Sequence, residues 1–557
     1  MDAKSGLFIF WSIKESESPL LLDELRLVEC TFTKPYLMKT LLFAFIAIQA
    51  FMSTAQQPNY MPLDHNNVSC LLDDEGGFFN HLQVGTNGYE IPKNSGLSTI
   101  FAGTYWIGAE DVNGALYVSS VMYSGGGSWS AFHGGPIANN SAYNSLAYIN
   151  QYQQSIWKVS EAEITNHQTN FQTPGYVVPN VLSSWPGNGD VSLGVATKLA
   201  PFVDLNGNGL YEPSLGDYPD IRGDEAVYII MNDESYQPDG NQLGIELHAM
   251  FYQYSSGTYL NNTTFLNLRV INRSNRTYYN FHEGLYLDFD LGNYSDDYIG
   301  CDPTNRLLYA YNGDDFDELD LDISYGANPP CQGVLCLSHP LESATMITGS
   351  MDAGITTSFD TTAWLMMNGQ YSDSSNWMNP LTNLPTHFTY DGNPNLPNTW
   401  NEGASNNPPG DRRGMLSIRE TTFPQNASIC SDYAFVYDRS GSRLNNVQQV
   451  INISGALLNA YQNGGNFPCL SSAFNELSDE TLSPSEIVVY PNPSNGKIQI
   501  TWNNIQAKQL EIRSMQGALV YAESIENLSS KTLDLTVLSK GIYFIQIGTQ
   551  MQRIIIE

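Results

Sequence analysis

The sequence of 557 residues predicts an all-β protein, with β-sandwich-like modules through its body. Three observations carry this. Runs such as Thr264-Phe-Leu-Asn-Leu-Arg-Val-Ile271 alternate with period two, the pattern of a half-buried strand. Turn signals such as Asp111-Val-Asn-Gly114 and Asn495-Gly496 separate such runs. Gly and Pro, at 46 and 28 residues, recur too often to leave many helical windows.

Taken in order, residues 1–37 carry scattered charges (Glu15, Glu17, Asp23, Glu24) and read as a gene-model extension. Residues 38–55 read as a signal peptide: Lys39 is its charged start, Leu41 to Met52 its apolar stretch, and Ser53-Thr54-Ala55 its cleavage site. That stretch is too short for a bilayer, which needs about 20 residues. The expected mature chain begins at Gln56 and carries no transmembrane segment.

The body, 56–477, is acidic. The whole chain has a formal charge of −33, and 45 acidic against 13 basic residues fall between 56 and 485. Such a surface repels phosphate backbones, so nucleic acid is excluded as a partner, while divalent cations are attracted. Expected strands are Ile100–Gly108 and Gly114–Tyr123, paired as a hairpin, then Ala226–Met231, Leu247–Tyr254, Thr264–Ile271, Glu283–Asp290 and Asp432–Asp438. Expected helices are 155–167 and 447–461. Without Cys30, six cysteines remain in an exported chain: Cys70, Cys301, Cys331, Cys336, Cys430 and Cys469. Three disulfides are expected, among them a local Cys331–Cys336 bridge.

Two stretches suggest metal. In Asp204-Leu-Asn206-Gly-Asn208-Gly209-Leu210-Tyr-Glu212, oxygen ligands at positions 1, 3 and 5 precede a Gly at 6, as in the first half of an EF-hand loop. Leu210 offers its carbonyl at position 7 and Glu212 stands at position 9. Position 12 is Leu215, so Asp217 has to close the shell. An Asn/Gly turn of the same composition is the alternative. The second stretch holds Asp288 and Asp290 on one strand face, with Asp296, Asp297 and Asp302 expected to complete a calcium shell. Asp314, Asp315, Asp317 and Glu318 follow, as a third acidic group or a solvated loop. Arg412 and Arg413 are adjacent in a body poor in cations, which marks them as partners for buried carboxylates.

The tail, 486–557, is neutral, with six basic and six acidic residues, and a linker at 478–485 precedes it. It opens Tyr490-Pro491-Asn492-Pro493, turns at Gly517, and closes Leu538-Ser-Lys-Gly541-Ile-Tyr543. On those residues it resembles the type A C-terminal sorting domain of the type IX secretion system of Bacteroidetes. The resemblance implies an immunoglobulin-like β-sandwich, recognition by that secretion machinery, and export across the outer membrane to the surface or beyond. The body, through Trp106-Ile-Gly, Gly216-Asp-Tyr-Pro219, the Asp288–Asp302 stretch and Pro409-Gly-Asp-Arg-Arg413, resembles secreted proteins of the same group that bring no catalytic residues.

No zinc-protease, nucleophile-elbow or phosphate-loop motif occurs. The favoured expectation is a non-enzymatic exported protein of calcium-braced β modules that binds surface proteins or glycans, with Trp129, Trp377 and Trp400 as stacking platforms. The alternative is a secreted polysaccharide hydrolase using a carboxylate pair, Glu246 and Glu283.

Overall fold

Among the described residues strand dominates, at 43% against 15% helix. The computed structural model describes residues 59–81, 86–121, 123, 131–234, 242–318, 324–347 and 359–463 of the body. In the tail it describes 487–490, 494–502, 509–514, 519–525, 528, 530–547 and 550–556. The expected extension, signal peptide and linker lie outside these residues, as do Cys469 and Trp129.

In chain order the longer body strands are β1 (Ser98–Glu110), β2 (Ile156–Ser160), β3 (Glu225–Asn232), β4 (Ile245–Gln253), β5 (Thr264–Asn272) and β6 (Tyr278–Phe289). Then follow β7 (Asp297–Asp302), β8 (Leu307–Asn312), β9 (Cys331–Cys336), β10 (Ser343–Ile347), β11 (Arg412–Phe423) and β12 (Ser428–Asp438). One sheet runs β1-β6-β11-β10 and is extended beyond β1 by short strands from residues 60–90. The other runs β2-β3-β4-β5-β12-β9-β8-β7. The expected hairpin forms: β1 pairs with Leu116–Ser119, and Asp111 Oδ1 accepts the N–H groups of Asn113 and Ala115 in the turn.

The sheets face one another. Ile107, Leu285, Leu287 and Ile418 of the first share a core with Leu247, Phe251, Leu268 and Phe435 of the second. Both outer faces are also covered. Ala363, Met366 and Met367 of the helix Phe359–Met367 pack on Trp106, Tyr286 and Met415. Residues from 138–211 and Val447, Val450 and Leu457 of the helix Arg443–Gln462 pack on Tyr228, Tyr252, Tyr309 and Val436. Burial on both faces explains why every residue of β4 and β5 is buried, polar ones included.

Two expectations need correction. Residues 155–167 are not one helix. Ile156–Ser160 are the edge strand β2, paired with β3, and the helix is Glu161–Asn170. Ser160 divides the two: its Oγ accepts the Glu163 N–H and Glu163 Oε2 accepts the Ser160 N–H, a capping box. Nor do four of the six cysteines pair as expected, because Cys70, Cys301, Cys331 and Cys336 are buried free thiols. Cys331 and Cys336 sit five positions apart on β9, hence about 16 Å apart, and an odd separation turns them to opposite faces. A disulfide needs Cα atoms within about 7 Å.

The tail forms two sheets. Ile487–Tyr490, Lys497–Trp502 and Ser530–Asp534 make one; Leu519–Ser524, Gln509–Ser514, Gly541–Ile547 and Gln550–Ile556 make the other. Ile498, Ile500, Trp502, Leu510, Ile512, Ile545, Ile547 and Ile554 fill the space between them, a core that among the described residues comes wholly from the tail.

Candidate metal centre

β6 ends in the acidic pair that the sequence singles out. Its register against β1 shifts between Asp288 and Phe289, and beyond the shift the Asp290 N–H is held by the Thr99 carbonyl at 3.2 Å. Opposite, Asp288 pairs in register with Arg413 on β11, which places Asp411 just before that strand. The result is a three-carboxylate group, Asp288, Asp290 and Asp411, whose ligand oxygens lie within 4.8 Å of one another. Asp288 is buried, Asp290 half-buried and Asp411 exposed.

Its wiring is incomplete on one side. Asp288 Oδ2 accepts from the Tyr123 hydroxyl (2.6 Å) and from Arg413 Nε (3.3 Å). Arg413 Nη2 also donates to Asp411 Oδ2 at 2.7 Å. Asp288 Oδ1 is buried and has no hydrogen-bond partner. Arg413 faces the carboxylates of Asp288 and Asp411 and bears electrostatically on Asp290. Burial, reinforced by Asp411, raises the Asp288 carboxyl to about 6 against the pull of Arg413 and Tyr123. Burial and the charges of Asp288 and Asp411 raise Asp290 well above its ordinary value. Such a group needs protons or a cation. An all-oxygen donor set suits a hard ion. Oxygens bound to one Ca²⁺ at about 2.3–2.6 Å lie at most about 5 Å apart, and the observed spacing fits.

The other expected ligands lie elsewhere. Asp302 caps its own turn through the N–H groups of Thr304 and Asn305, at the far end of β7. Asp297 Oδ2 accepts the Leu291 N–H at 3.1 Å, and Asp296 faces Glu318. In the 204–217 loop, Asp204 accepts from the N–H groups of Gly207 and Gly209, Asn206 from Asn208, and Asn208 from Leu210. Asn208 also donates to Glu212, and buried Asp217 accepts from Leu205 and Glu212 N–H. The loop's shape is accounted for by these bonds. Sequence reasoning missed Asp411, although it had marked the neighbouring arginines. Their expected role holds: Arg412 Nε reaches buried Glu402 at 2.8 Å, and Arg413 reaches Asp288 and Asp411.

The expected hydrolase pair is not brought together. Glu283 shares the inner face of β6 with Leu285 and Leu287 and accepts from Tyr433 (2.7 Å) and Ser431 (3.1 Å). Glu246 shares the opposite, outer face of β4 with Met250 and Tyr252, bound to His248 (2.8 Å) and Arg273 (3.0 Å). Both are fully buried, and the second sheet itself stands between them. The expected sugar platforms are also internal. Trp377 is 7% exposed and stacks on Tyr371, and Trp400 is 8% exposed and packs on Tyr390.

Residues 488–557 match the family described as Secretion system C-terminal sorting domain. The tail is a type IX secretion sorting domain. The sorting domain directs export across the outer membrane, to the cell surface or outside, and implies interaction with the type IX machinery. Within it, Tyr490 ends the strand Ile487–Tyr490, opposite Gln499. Leu538 packs on the domain's core, Gly541 pairs with Ile556, and the Tyr543 hydroxyl donates to the Ser539 carbonyl at 2.8 Å. Pro491, Asn492, Pro493 and Gly517 lie outside the described residues. Among the described residues, no helix is long and apolar enough to cross a membrane. Among solved structures, a polysaccharide lyase aligns at 7% identity with a TM-score of 0.17, over 59% of this chain and 35% of the lyase. No curated protein sequence matches the chain.

Proposed function

We propose that the chain is an exported binding protein of the cell surface or extracellular space, acting in adhesion or glycan binding, whose β-sandwich is braced by calcium at Asp288, Asp290 and Asp411. The observation that carries the brace is the buried Asp288 Oδ1, which lacks any donor inside a three-carboxylate group. An outer-membrane address supports it, since calcium outside the cell is abundant enough to fill a weak site. With a dissociation constant on the order of 10⁻⁴ M and about 1 mM calcium, occupancy stabilises the fold by roughly 1.4 kcal/mol. A binding role is favoured over hydrolysis because Glu246 and Glu283 are buried on different faces and cannot flank one glycosidic bond.

Chelation tests the brace. Removing calcium lowers the melting temperature of the wild type, and Asp290→Asn removes that sensitivity. An unchanged wild-type melting curve sinks the idea. Binding of glycans or surface proteins without release of reducing sugar is the expected outcome of an array assay; saccharide release would return the hydrolase.

A further inference from the structure

The carboxylates of Asp288, Asp290 and Asp411 share their space with a cation that the chain itself supplies. Arg413 is the in-register partner of Asp288, and its side chain bridges two of the three carboxylates. Its Nε lies 3.3 Å from Asp288 Oδ2 and its Nη2 2.7 Å from Asp411 Oδ2. Its charge persists at any working pH. An arginine in this place can act on a bound ion in two opposite ways. It can hold the carboxylates in position, which favours the ion, or offset their charge, which disfavours it.

The main chain decides between them. Asp288 lies within β6, paired with Arg413 on one side and Ala102 on the other, and the Tyr123 hydroxyl donates to its Oδ2 at 2.6 Å. The Asp290 N–H is held by the Thr99 carbonyl at 3.2 Å. Asp411 stands between Gly410, whose N–H donates to the Asp297 carbonyl at 3.0 Å, and Arg412, which pairs with Phe289. The Arg413 side chain takes no part in these bonds. β11 is itself fixed at Arg413 from both sides, by Asp288 and by Ile347 of β10, so the strand does not depend on the guanidinium. What the side chain adds is charge. The three carboxylates bring three formal negative charges, and Arg413 offsets one of them. Calcium affinity follows the charge count of the ligands.

We propose that Arg413 is the affinity-setting residue of this centre, an internal competitor that keeps divalent-cation binding weak. The proposal rests on the calcium reading of Asp288, Asp290 and Asp411 given above. A centre weakened in this way fills where calcium is near millimolar and not where it is scarce. Its brace therefore forms in the extracellular medium.

Isothermal titration of the full chain with calcium chloride at neutral pH tests it, comparing wild type with Arg413→Gln and Arg413→Lys. Arg413→Gln is expected to bind calcium roughly tenfold or more tightly than wild type. Arg413→Lys keeps the charge without the fork, so its affinity should lie nearer to wild type than to Arg413→Gln. Equal or weaker binding by Arg413→Gln overturns the proposal and leaves the brace standing, with Arg413 as a positioner of carboxylates. Arg413→Lys as tight as Arg413→Gln also overturns it, because charge is then not the cause. Binding by Arg413→Gln with none by wild type supports the competitor and overturns the brace. Binding by neither overturns both. If Arg413→Gln loses its circular dichroism signature of folding, Arg413→Met, which keeps an apolar stem, decides by the same titration.

Discussion

Glu283 keeps its proton at a pH where an exposed glutamate has lost it. Burial between the sheets raises its carboxyl to about 7, and the hydroxyls of Tyr433 and Ser431 offset only part of that. The unfolded chain releases this proton near pH 4.5 and the folded chain near 7, so the native state binds more protons between them. Stability therefore falls as pH rises through that window, by on the order of 3 kcal/mol for this group alone. Glu283→Gln, which is neutral throughout, should flatten the decline; denaturant melts of both proteins at pH 5 and pH 8 read it directly. Glu246 behaves in the opposite sense. Burial alone would raise it, but Arg273 and His248 outweigh burial and hold it at about 2. Its contribution is present above pH 4.5 and is lost as pH falls toward 2. Glu246→Gln strands Arg273 against a neutral partner and should cost about 3–5 kcal/mol in urea unfolding at neutral pH. The sequence placed Glu283 at the start of one expected strand and Glu246 just before another. Glu283 was read as a catalytic candidate, although it alternates in phase with Leu285 and Leu287, which are buried. What could not be read was that Glu246 faces the other way on another sheet, since parity within a strand does not say which face meets which layer.

Regular elements were legible to the extent that local chemistry fixes them. The runs at Thr264–Ile271 and Ala226–Met231 became β5 and β3 almost without boundary change. The stretch from Ser155 misled because its apolar spacing fits a helix, while pairing of Trp157 with Tyr228 on a sheet edge overrides that period. The capping box at Ser160 was the overlooked local signal. Ser160→Ala removes the acceptor for the Glu163 N–H and should destabilise the fold by about 1 kcal/mol, as a shift in the denaturation midpoint. Ser160→Asp should restore most of that, because a short acceptor at the N-cap is what the helix requires. Asp411 escaped for a complementary reason: it lies in a connecting segment with no period, and only the antiparallel pairing of Asp288 with Arg413 carries it to the carboxylates of β6. Separations of more than a hundred residues are closed by sheet register, which a single sequence does not encode in any local window.

At the scale of the molecule, the neutral sorting domain and the acidic body are different objects in composition and in core. Every side chain in the tail's hydrophobic cluster comes from residues 489–556. A core that takes no described residue from the body implies that the domain folds, and is recognised, without it. Two outcomes follow for export. Deleting residues 488–557 should leave the body behind the outer membrane while its fold persists, because no body core residue is lost. Fusing the same residues to an unrelated protein that already reaches the periplasm should send that protein across. Ile545 is fully buried between the two tail sheets, so Ile545→Asp places a charge where no partner exists and should abolish export of the fusion as completely as the deletion does. Fractionated cells and culture medium, probed for the fused protein, measure all three. Export of the fusion by the Ile545→Asp tail would mean that the machinery reads a linear segment and not the folded β-sandwich.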